Sequence, residues 1–226
     1  MIIIYGCAMR YQDLMEGVTD GRMAQGDLVT KSLRVQWDGG GYFSLIGPNA
    51  IRGASAPNVE GTTRSFFLAS DDSYNDTTTD VYARWVNVAQ FHETPQPWEV
   101  AWLFFRITDK DNLAYISVKT NGWEYGIRHP SYKTVNANGD VTNDGQKILA
   151  TGEFNVLAES LKTEVSVRVQ QRGRQTLIQI NGTQVWKRIL ALSIDSKLPH
   201  RGAVGWYGED CVAELRAFTV CSGVTP

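Results

Sequence analysis

Between residues 62 and 220 the chain is a succession of short runs of alternating apolar and polar residues, each cut off by a turn signal. No amphipathic helix longer than two turns interrupts them. A strand repeats every two residues and a helix about every 3.6, so this patterning commits the chain to strands. TTRSFFLAS at 62–70, DVYARWVNVAQFH at 80–92, KILATG at 147–152, TEVSVRVQQ at 163–171, RQTLIQI at 174–180, TQVWKRI at 183–189, GAVGWYG at 202–208 and CVAELRAFTV at 211–220 all read this way. Asn181 with Gly182 is the strongest hairpin signal, because both residues tolerate positive φ. SLRVQWD at 32–38 and GYFSLIG at 41–47 flank a Gly-Gly centre and read as a second hairpin. About a dozen strands without βα alternation give an all-β antiparallel sandwich of two sheets. No shift in composition marks a boundary within the 226 residues, so one domain is expected.

The most informative stretch is 98–125, WEVAWLFFRITDKDNLAYISVKTNGWEY. Its first arm carries Trp98, Val100, Trp102, Phe104 and Arg106 on one side, with Glu99, Ala101, Leu103 and Phe105 on the other. TDKDN is a polar turn. Pairing across it is expected to put Ala114, Ile116 and Val118 beside Trp102 and Phe104 in the core, with Trp85 and Phe91 from the preceding strand. Glu99, Tyr115, Ser117 and Lys119 would then form the opposite, mixed face. Residues 127–146, containing HPSYKTVNANGDVTNDG, read as a long insertion loop, and residues 1–32 as an irregular N-terminal arm. A single helical turn fits the connection FNVLAESLKT.

Charge excludes some partners. With 22 basic and 24 acidic residues the net charge is −2, which favours neither a nucleic-acid backbone nor an anionic membrane. MIIIYGCAMR has a three-residue apolar run with no basic residue before it, so no export signal is read in the chain as given. Cys211 and Cys221 stand ten positions apart on one strand, roughly 33 Å if extended, and cannot bond to each other. Cys7 can pair with Cys221 if the first and last strands are neighbours; the alternative is buried free thiols. His129 and His200 lie beside prolines with no Cys or His at metal spacing, which argues against zinc. Asn136, Asn138, Asp140, Asn143 and Asp144 offer oxygen ligands in one stretch, yet their spacing misses the twelve-residue calcium loop and its terminal Glu. No G-x-S-x-G elbow supports nucleophilic catalysis.

The order of motifs, WEVAW, KTNGWEYG, ILATG, a Val-rich strand, the Asn-Gly hairpin and a closing GAVGWYGED, resembles the concanavalin A-like jelly rolls of laminin-G-like and family-16-type domains. The resemblance covers roughly residues 62–220. It implies a jelly-roll β-sandwich that binds or cleaves polysaccharide on one sheet, or an adhesive module, often with calcium; no other cofactor is implied. The family-16 hydrolase run E-x-D-x-x-E is absent, and Glu99 and Glu124 stand alone. A second resemblance, to jelly-roll polysaccharide lyases, rests on Gln90-Phe91-His92 as Q-x-H, on Tyr207, and on Arg64 or Arg84 as a carboxylate fork. The leading expectation is a non-catalytic, lectin-like domain binding a polysaccharide or glycan through Arg84, Gln90, His92, Glu99, Tyr115, Lys119 and Trp123, with Tyr125 as a further stacking candidate. A lyase would use Arg84, Gln90, His92 and Tyr207. The third reading is a structural or adhesion protein of a virion or surface assembly, extracellular or virion-borne, contacting a partner or a second copy through its N-terminal arm.

Overall fold

In a computed structural model, the described residues are 9–13, 33–37, 42–46, 50–55, 65–70, 74–75, 79–153, 161–199 and 201–222. Every strand pairing among them is antiparallel. The first sheet runs, in spatial order, β14 (Thr183–Ile189), β13 (Gln175–Ile180), β12 (Glu164–Arg172), β7 (Thr79–Gln90), β16 (Cys211–Ser222), β4 (Ile51–Ala54) and β3 (Tyr42–Leu45), with β1 (Met9–Asp13) also pairing with β16. The second runs β11 (Val141–Gly152), β10 (Gly122–Val135), β9 (Asn112–Lys119), β8 (Ala101–Asp109), β15 (Arg201–Glu209), β5 (Ser65–Ser70) and β2 (Leu33–Trp37), with β6 (Tyr74–Asn75) pairing with β15. The two sheets form a concanavalin A-like jelly-roll β-sandwich, as the motif order implied.

The core lies between the sheets and follows the period-two pattern. Val165, Val167 and Val169 of β12 and Val81, Ala83 and Trp85 of β7 face Leu103, Phe105, Ile116, Tyr125 and Trp206 from the second sheet. Each fully buried Val, Leu or Phe contributes about 1.5–3 kcal/mol, so this layer dominates the stability. Phe66 wedges between Phe43 and Trp206, its ring centroid 5.5 and 4.9 Å from theirs. Gly208 makes room for it, because a Cβ there would stand 2.1 Å from the Phe66 ring. Asn181 and Gly182 close β13 onto β14 with φ of +49° and +79°, the two positive values that a type I′ turn requires.

Several expectations need correction. The β8–β9 register pairs Trp102 with Ser117, Leu103 with Ile116, Phe104 with Tyr115 and Phe105 with Ala114. Leu103, Phe105, Ala114, Ile116 and Val118 therefore fill the core, while Trp102, Phe104 and Tyr115 point away from it. Asp109 pairs with Asn112 across Lys110 and Asp111, the ladder shifts register between Phe105 and Asp109, where Arg106 takes a φ of +55°, and a change of register by one residue exchanges the faces of a strand. Phe91, also expected in the core, is half-buried at the end of β7. The expected Gly-Gly hairpin does not form, because β2 pairs with β5 in one sheet and β3 with β4 in the other. The 127–146 insertion is a hairpin extending β10 and β11, turned at Asn136, whose Oδ1 accepts from the amides of Asn138 and Asp140, both at 2.9 Å. Within the N-terminal arm, Met9–Asp13 is a strand against the end of β16. A helical turn occurs at Leu192–Asp195 (α1), where none was expected; most of FNVLAESLKT, like Cys7, Arg64 and His200, lies outside the described residues. Cys211 is a buried free thiol.

Candidate functional site on the outward face of the second sheet

Alternation along β15 sends Val204 and Trp206 into the core and Ala203, Tyr207 and Glu209 to the opposite side. There they meet Trp102 and Phe104 of β8, Tyr115 of β9 and Phe67 of β5, forming an aromatic cluster separate from the inter-sheet core. Tyr207 stacks on Phe104 with centroids 4.7 Å apart and ring planes 15° from parallel. Trp102 stands 5.0 Å from Tyr115 and 5.8 Å from Tyr207. Trp102, Phe104 and Tyr115 are buried, whereas Phe67, Trp98 and Tyr207 are only partly buried and form the outer layer of the cluster. Tyr115 lies across Gly126, where a Cβ would stand 2.3 Å from its hydroxyl.

Carboxylates are set into this face. Glu124 is buried and accepts from the Tyr115 hydroxyl at 2.7 Å and from Lys119 Nζ at 2.6 Å. Burial, and then the Glu124 charge, push the Tyr115 phenol above its usual range. Burial likewise raises the Tyr207 phenol, helped by Glu209. The Glu209 carboxyl is itself pushed up to about 7 by burial and by the neighbouring Asp210 and Asp144, against the opposing effects of a Tyr207 hydrogen bond and Arg128. Arg128 pairs with Asp144 at 3.0 Å and Asp111 at 3.5 Å at the edge of the sheet.

The β7–β8 crossover, residues 91–100, is held by one buried side chain. Glu99 Oε2 accepts from the amides of Phe91 and His92 at 3.1 and 3.2 Å, and Oε1 accepts from the Gln96 amide. His92 Nδ1 stands 3.0 Å from Oε1. Gln90 Nε2 donates to Gln96 O at 2.8 Å, and Trp98 O accepts from Trp102 Nε1 at 3.2 Å, tying the crossover to the aromatic face.

The structure thus divides the residues singled out in the sequence. Tyr115, Lys119 and Tyr207 share the outward face of the second sheet, and Gln90, His92 and Glu99 build the crossover at its rim. Glu99 is not on the sheet face with Tyr115, because the strand begins only at Ala101. Trp123 and Tyr125 belong to the inter-sheet core. Arg84 lies on the outer face of the other sheet, 3.5 Å from Glu164, so the four residues of the lyase constellation are not assembled. Sequence reasoning missed Phe67, Glu209 and Arg128, and weighed Asp144 only as a metal ligand; alternation along GAVGWYGED alone puts Glu209 on the side of Tyr207. The Asn136 and Asn143 oxygens accept backbone amides within turns, Asp144 pairs with Arg128, and among the described residues no three His, Cys, Asp or Glu converge as metal ligands. No helix among the described residues is long and apolar enough to cross a membrane.

No family model and no curated sequence matches the chain. Solved structures do. A protein of unknown function with a galectin-like fold from Bacillus subtilis superposes with a TM-score of 0.62 at 13% identity, covering 98% of this chain and 99% of its own. The carbohydrate-binding module CBM66 from Bacillus subtilis gives 0.57 at 12% identity, covering 91% and 100%. An endo-beta-1,3-glucanase from Pyrococcus furiosus gives 0.57 at 8% identity, covering 96% and 95%. At such identities the likeness is one of fold: this chain shares the jelly-roll architecture of lectins, carbohydrate-binding modules and glucanases.

Proposed function

We propose that the chain binds carbohydrate, a polysaccharide or glycan, on the outward face of the second sheet and leaves it uncleaved. The observation that carries this reading is an aromatic cluster built outside the core, with partly buried rings at Phe67, Trp98 and Tyr207 beside hydrogen-bonding groups at Glu209, Lys119 and His92. Sugar rings offer apolar C–H faces and hydroxyl edges, and a floor of rings with polar groups at its margin matches both. The carbohydrate-binding module of the same fold adds support. The proposal includes an extracellular or virion-surface location, where such glycans are met, and leaves to the N-terminal residues a role in assembly with a partner or a second copy.

One observation favours a second reading, a glycoside hydrolase. A carboxyl raised to about 7 suits a general acid, and a glucanase shares the fold. Against it, the Glu124 carboxylate is already engaged by the Tyr115 hydroxyl and Lys119, and the E-x-D-x-x-E run of the family-16 hydrolases is absent. A panel of neutral, uronate and sulfated polysaccharides, assayed for retention and for new reducing ends or unsaturated products, tests both readings. Retention without products is expected; turnover overturns the non-catalytic reading, and absence of retention across the panel overturns the binding reading.

A further inference from the structure

Away from that face, the β10–β11 ladder breaks. Arg128 pairs with Gln146 and the next described pair is Lys133 with Asp144, so residues 129–132 stand opposite Gly145 alone. Bulges of this kind re-aim side chains and gather at functional sites. Here the bulge turns His129, Ser131 and Tyr132 towards Lys147 of β11 and Lys197, which follows α1.

Both lysine ammonium groups stand over the Tyr132 ring, 4.8 and 4.4 Å from its centroid, so they are no more than about 9 Å from each other. Lys197 Nζ also donates to Ser131 Oγ at 2.6 Å. Among the described residues no carboxylate pairs with either lysine. The Ser131 amide, which can only donate, points to His129 Nδ1 at 3.1 Å, and the Ser131 hydroxyl lies 2.8 Å from the same nitrogen. His129 Nδ1 is therefore an acceptor, and the proton of the neutral ring sits on Nε2. The result is a concentration of N–H donors from three segments, two of them cationic, around one ring and, among the described residues, without an anionic acceptor. An anion bound beside the Tyr132 ring would be attracted by both ammonium groups.

We propose that the β10 bulge, with Lys147 and Lys197, is a binding site for a tetrahedral oxyanion, sulfate or phosphate, free or as an ester. Such a group presents several acceptor oxygens at once, so it can accept from more than one of these cationic and imidazole donors. The site is independent of the aromatic face.

The test is a titration of the intact protein with sodium sulfate, sodium phosphate and sodium chloride at matched ionic strength, following the ring-nitrogen signals of its three histidines. The expected result is a saturable shift of the His129 signal with sulfate or phosphate, exceeding that with chloride, while His92 stays unmoved. Lys147→Gln and Lys197→Gln should each weaken the affinity about tenfold, the loss of one charge-assisted hydrogen bond. Lys147 is exposed at a sheet edge, so its variant should fold as the parent does. A sulfated oligosaccharide binding more tightly than inorganic sulfate assigns the site to an esterified glycan; equal affinity assigns it to the free anion. No saturable shift beyond chloride, or affinity unchanged in both lysine variants, overturns the proposal. Tyr207→Ala should leave this titration intact, which separates its failure from that of the carbohydrate reading.

Discussion

Replacing Glu99 with glutamine tests whether that carboxylate serves the fold or a ligand. Glu99 is fully buried; its two oxygens accept three backbone N–H groups and face the His92 ring. The Glu99→Gln change turns one carboxylate oxygen into an NH2 group. Placed at the Oε2 position it would confront the Phe91 and His92 amides together, so the less costly orientation puts it against the Gln96 amide. That leaves one part-buried N–H without its acceptor, at most about 1–3 kcal/mol, and weakens two others from charged to neutral acceptors. The expected loss is roughly 2–4 kcal/mol, or about 6–12 °C in melting temperature at roughly 3 °C per kcal/mol for a chain of this size. Differential scanning calorimetry, with urea unfolding at one temperature, reads it directly. A melting temperature within about 2 °C of the parent, together with lost glycan binding, would refute the loop-anchor reasoning and return Glu99 to the ligand.

Trp123→Ala should destabilise by about 3–5 kcal/mol, seen in urea unfolding, because Trp123 sits in the inter-sheet core; retained stability with lost binding would contradict that placement. Gly126→Ala forces the Tyr115 ring aside and should cost about 1–3 kcal/mol, with a near-ultraviolet circular dichroism change that Gly139→Ala, at an open turn, does not show. Folded Glu209 holds its proton up to about 7 against an ordinary 4.5, so the folded state binds more protons across that window. Stability should therefore fall as pH rises from about 4.5 to 7, by at most about 1.4 kcal/mol per pH unit, and Glu209→Gln should flatten this slope in pH-dependent unfolding. Cys211 is fully buried with its thiol pushed up, so peptide mapping should find it alkylated only after denaturation.

Much of the fold was legible because its strands have one apolar and one polar side. In β12 the valines alternate with Glu164, Ser166, Arg168 and Gln170, and only one orientation buries them well. β8 carries no such information. Both of its sides are apolar, Leu103 and Phe105 on one and Trp102 and Phe104 on the other, so composition could not say which faced the other sheet. That ambiguity hid the candidate site, since a second aromatic face reads in sequence as more core. Glu99 was legible as unusual, a lone acid in an apolar strand, but its partners are backbone amides that leave no side-chain pattern. The β10 bulge was invisible for a related reason: its partner Lys197 lies 66 positions from Ser131, and nothing local records that contact.

The most direct test of the account is a pair of titrations with whichever polysaccharide the panel retains, one on Tyr207→Ala and one on Arg84→Ala. Tyr207 stacks at the centre of the outward aromatic face, and Arg84 lies on the opposite side of the sandwich beside Glu164. With folding verified by circular dichroism, Tyr207→Ala should weaken binding at least tenfold, about 1.4 kcal/mol, and Arg84→Ala should leave it unchanged. Undiminished binding by Tyr207→Ala, or a comparable loss in Arg84→Ala, would contradict the assignment of the glycan to this face.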